Sequence, residues 1–125
     1  MIPELRELGR TAEASASAGI MSVRLSWPLP RSVTIRVRGE VDLCTAPHLA
    51  DVLSTTIHSP VDDVVIDLSE VTFLSVCGLN CLLGAERAAD ACRTSLRLDV
   101  GESYAVNRLF SLLRSTLPEA FTRGL

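Results

Sequence analysis

The apolar residues of this chain change their spacing in a fixed order, which restricts the fold more than any other feature of the sequence. Apolar and polar residues alternate over residues 23–27 and again over 33–37, the period of a half-buried β-strand. Residues 64–66 are continuously apolar and predict an interior strand, whereas residues 96–100 alternate again. Apolar residues three or four positions apart follow each of the last three strands. The pattern predicts an α/β fold in the order strand, strand, helix, strand, helix, strand, helix.

Each of the three predicted helices begins at a hydroxyl residue that is suited to cap it. These residues are Thr45, Ser75 and Ser103. The first helix is expected to end near His58, the second to run from about Val76 to Cys92, and the third to end before Pro118, with one more helical turn after it.

Two prolines, Pro28 and Pro30, interrupt the first two strands and predict a turn between them. The first two strands should therefore form an antiparallel hairpin, while the strands separated by helices should be parallel. The expected architecture is a small mixed four-stranded sheet with an N-terminal hairpin and about four helices packed against it.

The 125 residues fit one domain, which we predict over residues 21–125. Residues 1–20 are rich in Ala, Ser, Glu and Thr and show little apolar periodicity. This composition predicts a flexible N-terminal tail.

The composition excludes several classes of function. The formal net charge is -3, which gives no general electrostatic attraction to nucleic acid. All twelve basic residues are Arg, so the chain lacks the lysine of a phosphate-binding loop or a Schiff base. The sequence contains no recognisable grouping of nucleophile, base and orienting residue, and no metal-ligand spacing. We therefore predict no catalytic site, no cofactor and no metal. No segment is long enough to span a membrane and no secretion signal is evident, which predicts a cytoplasmic protein.

Three sequence blocks lie in an order and at a spacing that resemble the STAS domain family, which is typified by bacterial anti-sigma factor antagonists. They are residues 39–43 (GEVDL) followed by 45–47 (TAP), residues 67–79 (DLSEVTFLSVCGL), and residues 103–109 (SYAVNRL). The resemblance covers about residues 33–113 and implies the α/β STAS fold. Residues 67–79 are interpreted as a turn from strand to helix.

The resemblance implies a bacterial, non-enzymatic regulator of transcription that binds an anti-sigma factor with a kinase-like ATPase domain and so releases a sigma factor. It would act as a monomer or a weak homodimer. An alternative within the same fold is a STAS scaffold subunit of an ABC-type lipid transport system. An alternative of another class, a small hydrolase or nucleotide-binding protein, has no supporting motif.

The family's partner-binding face implies a set of site residues in this chain. They are Glu40, Asp42, Cys44, Ser75, Val76, Cys77 and Gly78. The family's regulatory phosphoserine falls on Val76, which has no hydroxyl. We therefore predict that the usual phosphorylation switch is absent, with Ser75 or Thr72 as the possible substitute acceptors.

Cys77 replaces the family's second serine in the first turn of the second helix. Backbone amides and the helix dipole at such a position favour a thiolate, which makes Cys77 a candidate redox sensor. The alternative is a small side chain that fills space. A disulfide between Cys44 and Cys77 is a further alternative, because both loops should lie at the same end of the sheet.

Overall fold

The computed structural model describes residues 13–18 and 20–122, with side chains from residue 20 onward. Its five strands are β1 (Glu13–Ala18), β2 (Met21–Leu29), β3 (Ser32–Val41), β4 (Asp63–Leu74) and β5 (Ser95–Asp99). Its four α-helices are α1 (Ala46–Ile57), α2 (Val76–Ala91), α3 (Tyr104–Leu112) and α4 (Glu119–Thr122), with a 3-10 turn at Arg114–Thr116.

The strands form one mixed sheet in the order β1-β2-β3-β4-β5. β2 pairs with β3 in the predicted antiparallel hairpin, and β3–β4 and β4–β5 are parallel. A helix separates the strands of each parallel pair, as a crossover between parallel neighbours requires. The predicted α/β architecture of a mixed sheet with helices packed against it is therefore confirmed.

The sheet has one strand more than predicted, because β1 pairs antiparallel with β2 at the edge. β1 lies within the stretch that was interpreted as a flexible tail, so that interpretation is wrong for residues 13–18. Ala alternates with Glu and Ser along this strand, but Ala is too small to give the strong apolar signal of Val, Leu or Ile, and the strand is defined by its backbone pairing with β2. Residues 1–12 of the predicted tail lie outside the described residues.

β4 is also longer than its apolar run of residues 64–66 suggested, since it continues to Leu74. The segment interpreted as a turn is therefore mostly strand, and only Ser75 separates β4 from α2. The pairing of β3 with β4 shifts register between Arg36 and Arg38 and again between Gly39 and Glu40. These irregularities lie close to the end of the sheet where α2 begins.

One face of the sheet forms the core. Alternate residues of β2 and β3 are buried while the residues between them are partly or fully exposed, so helices cover one face and the other is open to solvent. Leu49 and Leu53 of α1 and Leu82 of α2 belong to the same buried cluster as these strand residues. Phe110 and Phe121 stack with ring centroids 5.4 Å apart and join α3 to α4.

Ser103 connects α3 to the sheet. Its Oγ accepts a hydrogen bond from the Val106 amide at 3.2 Å and donates one to the Val71 carbonyl at 2.6 Å. The predicted cap of the third helix is confirmed, and the same hydroxyl fixes the start of α3 against β4.

Candidate functional site

The candidate site lies where the carboxyl ends of β3 and β4 meet the start of α2. Glu40 is the register partner of Phe73, and Val41 is the partner of Leu74. The amide of Ser75 then donates to the carbonyl of Val41 at 2.9 Å. The last residues of β3 therefore determine where α2 begins, and the two predicted site segments lie side by side.

Ser75 caps α2 as predicted. Its backbone is extended, and its Oγ accepts a hydrogen bond from the Gly78 amide at 3.1 Å. Its carbonyl accepts from the Leu79 amide at 2.9 Å. The Ser75 hydroxyl oxygen therefore already satisfies one of the helix's free amides.

Gly78 is buried in the first turn of α2. A Cβ at this position would lie 2.6 Å from Cγ1 of Val41 and 2.7 Å from Cδ1 of Leu74. The absence of a side chain allows the helix to approach the ends of β3 and β4 closely. Gly78 thus has a packing role, and its predicted place on a partner-binding surface is not supported by its burial.

The loop between β3 and α1 is organised by Asp42 and Thr45. Oδ1 of Asp42 accepts hydrogen bonds from the amides of Cys44 and Thr45, both at 2.9 Å. Oγ1 of Thr45 accepts from the Asp42 amide at 2.9 Å and donates to the Glu40 carbonyl at 3.0 Å. These reciprocal bonds close the loop on itself.

The hydrogen bonds within this loop affect the ionisation of Asp42 and the capping role predicted for Thr45. The hydrogen bonds from the Thr45 amide and hydroxyl and from the Cys44 amide lower the pKa of the Asp42 carboxyl. Thr45 occupies the N-cap position of α1, but its side chain makes no capping bond to that helix. The prediction of a capping hydroxyl was therefore wrong, because the hydroxyl bonds to the preceding loop instead.

Three large apolar side chains at this end of the sheet are exposed to solvent. Val76, at the first position of α2, is 70% exposed, Leu43 in the β3–α1 loop is 72% exposed, and Phe73 at the end of β4 is 48% exposed. The sequence analysis identified Val76 as a site residue but did not single out Leu43, which lies in the Glu40–Thr45 loop of the expected docking face, or Phe73. Their type gave no signal, since apolar residues beside a strand are ordinarily assigned to the core.

The four described cysteines form no disulfide bond. They are Cys44, Cys77, Cys81 and Cys92. Cys44 is exposed, whereas Cys77 is partly buried and packs against the core. The Sγ of Cys81 donates to the Ala46 carbonyl at 3.3 Å, and burial raises the pKa of this thiol. Cys81 thereby joins α2 to the start of α1, while the redox role of Cys44 and Cys77 stays a prediction.

Within residues 13–18 and 20–122, no helix has the length and apolar character needed to cross a membrane. In that same part of the chain, no three or more His, Cys, Asp and Glu side chains are placed to hold a metal ion together.

Comparison with known proteins agrees with this geometry. The family model described as "Mlab, STAS domain" matches residues 29–115. The chain belongs to the STAS domain family. The matched segment contains β3, β4, β5, the helices between them and the whole candidate site.

Two relatives that match this chain are named anti-sigma-B factor antagonists. An anti-sigma-B factor antagonist of Staphylococcus epidermidis is 30% identical over 78 residues, covering 62% of this chain and 71% of that protein. The anti-sigma-B factor antagonist of Staphylococcus aureus (strain NCTC 8325 / PS 47) is 28% identical over 78 residues, which again cover 62% of this chain and 71% of that protein.

Solved structures share the STAS fold. An anti-sigma factor antagonist from Mycobacterium paratuberculosis superposes with a TM-score of 0.68 at 27% identity, covering 82% of this chain and 88% of that one. The antagonist SpoIIAA in its unphosphorylated form superposes with a TM-score of 0.63 at 23% identity, covering 72% and 78%.

Proposed function

We propose that this STAS domain is an anti-sigma factor antagonist that works by binding alone. It docks on an anti-sigma factor, competes for the surface that holds a sigma factor, and so releases the sigma factor for transcription. This function needs no catalytic group, and we place it in the bacterial cytoplasm. The names of the Staphylococcus and Mycobacterium relatives support this function over the lipid-transport scaffold.

The exposure of Val76 is the observation that supports action without a phosphorylation switch. This residue stands at the family's phosphoacceptor position, and 70% of it is exposed at the start of α2. A kinase-type anti-sigma factor could reach this position but would find no hydroxyl there. The neighbouring Ser75 is less suited to accept phosphate, because its oxygen already caps the helix through the Gly78 amide.

The proposed partner is an anti-sigma factor with a kinase-like ATPase domain. Its contact face would include Glu40, Cys44, Val76 and Cys77, which the structure exposes or partly exposes at one end of the sheet. Asp42, Ser75 and Gly78 would act indirectly, since they fix the backbone of that face. We propose a monomer as the binding unit.

The test is a release assay with purified components. The chain is titrated into a preformed complex of a sigma factor and its anti-sigma factor from the source organism, and free sigma factor is measured by native mass spectrometry. Dose-dependent release without added ATP is expected. No release and no binding to any anti-sigma factor of that organism would contradict the proposal.

A further inference from the structure

The exposed apolar residues at the site stand out from the rest of the described surface. Residues 20–122 contain seven large apolar side chains that are exposed, which are Ile20, Leu29, Leu43, Phe73, Val76, Tyr104 and Leu112. Three of them, Leu43, Phe73 and Val76, flank the point where β3 and β4 end and α2 begins. We call these three residues the apolar triad. Concentrations of exposed apolar residues mark interaction sites more often than scattered single residues do.

The backbone beneath the triad is held in place before any partner binds. Leu43 lies in the loop that the Asp42 and Thr45 hydrogen bonds close. Phe73 pairs in register with Glu40 of β3, and Val76 follows Ser75, whose amide is bonded to the Val41 carbonyl. A surface that is already ordered loses little conformational entropy on binding, which favours affinity.

The border of the triad is acidic. Glu40 is exposed and forms no ion pair within the described part of the chain. The carboxyl of Asp42 also lies at this end of the sheet, with its pKa lowered by the amide and hydroxyl of Thr45. The nearest arginine along β3, Arg38, is paired with Glu70 at 3.1 Å. An apolar centre with a negative border complements an apolar surface bordered by basic side chains.

We propose that the apolar triad is the main energetic contact of this chain with its anti-sigma factor, and that it fits an apolar patch bordered by Arg or Lys. This inference rests on the proposed function and specifies the chemistry of its docking surface. Where the family places a hydroxyl that a kinase can modify, Val76 adds apolar contact area. The surface is therefore ready to bind at all times, and no phosphate can be added at this position.

The first test compares matched leucines. Leu43→Ser and Leu112→Ser each remove an exposed leucine, with 72% and 67% exposure, but only Leu43 belongs to the triad. Affinity for the purified anti-sigma factor is measured by calorimetry without ATP. We expect Leu43→Ser and Phe73→Ser to weaken binding at least about tenfold, as loss of a central interface residue does. Leu112→Ser and Leu29→Ser should change it less than about twofold.

The second test addresses the charge of the border. Glu40→Gln should slow association and reduce its dependence on salt concentration, because opposite charges at an interface border mainly accelerate encounter. Glu119→Gln, an equally conservative change at an exposed residue of α4, is the matched control and should leave the association rate unchanged. Faster association of Glu40→Gln would mean that the partner's border is acidic, which overturns that part of the proposal.

The outcomes separate the inference from the proposed function. Wild-type affinity in both triad variants, with sigma factor still released, would overturn the triad and leave the proposed function standing. Absence of wild-type binding would overturn both. Sedimentation of the same variants tests whether the triad instead binds a second copy of this chain. If Leu43→Ser abolishes self-association and leaves anti-sigma factor binding intact, the triad joins two copies and the proposal is wrong. Circular dichroism spectra identical to wild type establish that each variant is folded.

Discussion

Asp42 shows how a residue of a functional motif can act through the backbone. Its carboxylate accepts the amides of Cys44 and Thr45, and Thr45 in turn bonds back to the loop. The sequence placed Asp42 on the partner-binding face because the GEVDL block resembles the family's. It could not reveal that the side chain points into its own loop, since that depends on the backbone path after β3. We therefore expect Asp42 to affect binding only through the positions of Leu43 and Cys44.

We expect Asp42→Ala to lower stability in a pH-dependent way. The lowered pKa of this carboxyl means that it stabilises the fold above its unfolded-state value of about 4, and that this contribution is lost as pH falls through the lower folded-state pKa. Urea midpoints of Asp42→Ala and wild type should differ near neutral pH, and the difference should shrink below about pH 4. An equal difference at both pH values would show that the ionised carboxylate is not what holds the loop.

At the start of α2, the sequence predicted the cap and the position of the helix but not its packing against the sheet. The hydroxyl cap at Ser75 and the helix bounds were evident from local sequence, because capping and apolar periodicity are local properties. The role of Gly78 was not, since it depends on Val41 and Leu74 from two strands that approach only in the folded chain. Local rules identify where a helix begins but not what it packs against.

Two glycines of α2 provide a matched pair. Gly78→Ala would place a Cβ 2.6 Å from Cγ1 of the fully buried Val41, whereas a Cβ at Gly84 meets nothing within 4 Å. Overpacking typically costs about 1–3 kcal/mol, and alanine gains about 1 kcal/mol over glycine in a helix. Urea unfolding should show a net loss of about 1 kcal/mol for Gly78→Ala and a gain of about 0.5–1 kcal/mol for Gly84→Ala. Similar gains in both variants would mean that the first turn of α2 is loosely packed.

The strands show where sequence patterns succeed and fail. β2, β3 and β5 were recognisable because one face of each is buried, which produces alternation. β4 was predicted too short because residues after Ile66 mix Asp, Ser and Glu with apolar residues across a register shift. β1 was missed because it pairs at the sheet edge and its alternating residues are only Ala, which gives a weak apolar signal.

At the scale of the whole molecule, the candidate site and the β1 edge lie on different strands of the sheet. β1 occupies one edge, with β2 and β3 between it and β4, whereas the site lies at the ends of β3 and β4. The core faces of β2 are buried under helices, with Val23 fully inaccessible. The residues of the described core all lie within residues 21–125, the range predicted for the domain, and β1 adds backbone pairing at the edge of the sheet.

We expect a chain that begins at Ile20 to fold and to bind. Removal of β1 should lower the urea midpoint, because the edge of β2 loses its antiparallel partner, but unfolding should stay cooperative. Affinity for the anti-sigma factor should match that of the full chain, since no β1 residue lies at the site. A random-coil circular dichroism spectrum for the shortened chain would show that β1 is an obligatory part of the domain.

The most direct test of a docking module without a phosphorylation switch is intact mass measured after incubation with the kinase-type anti-sigma factor and ATP. We predict that the wild-type mass stays unchanged and that affinity for the anti-sigma factor is the same before and after incubation. Val76→Ser, which restores a hydroxyl at the exposed position, should gain one phosphate and lose affinity. A phosphate on Ser75 or Thr72 of the wild-type chain, with loss of binding, would contradict the account.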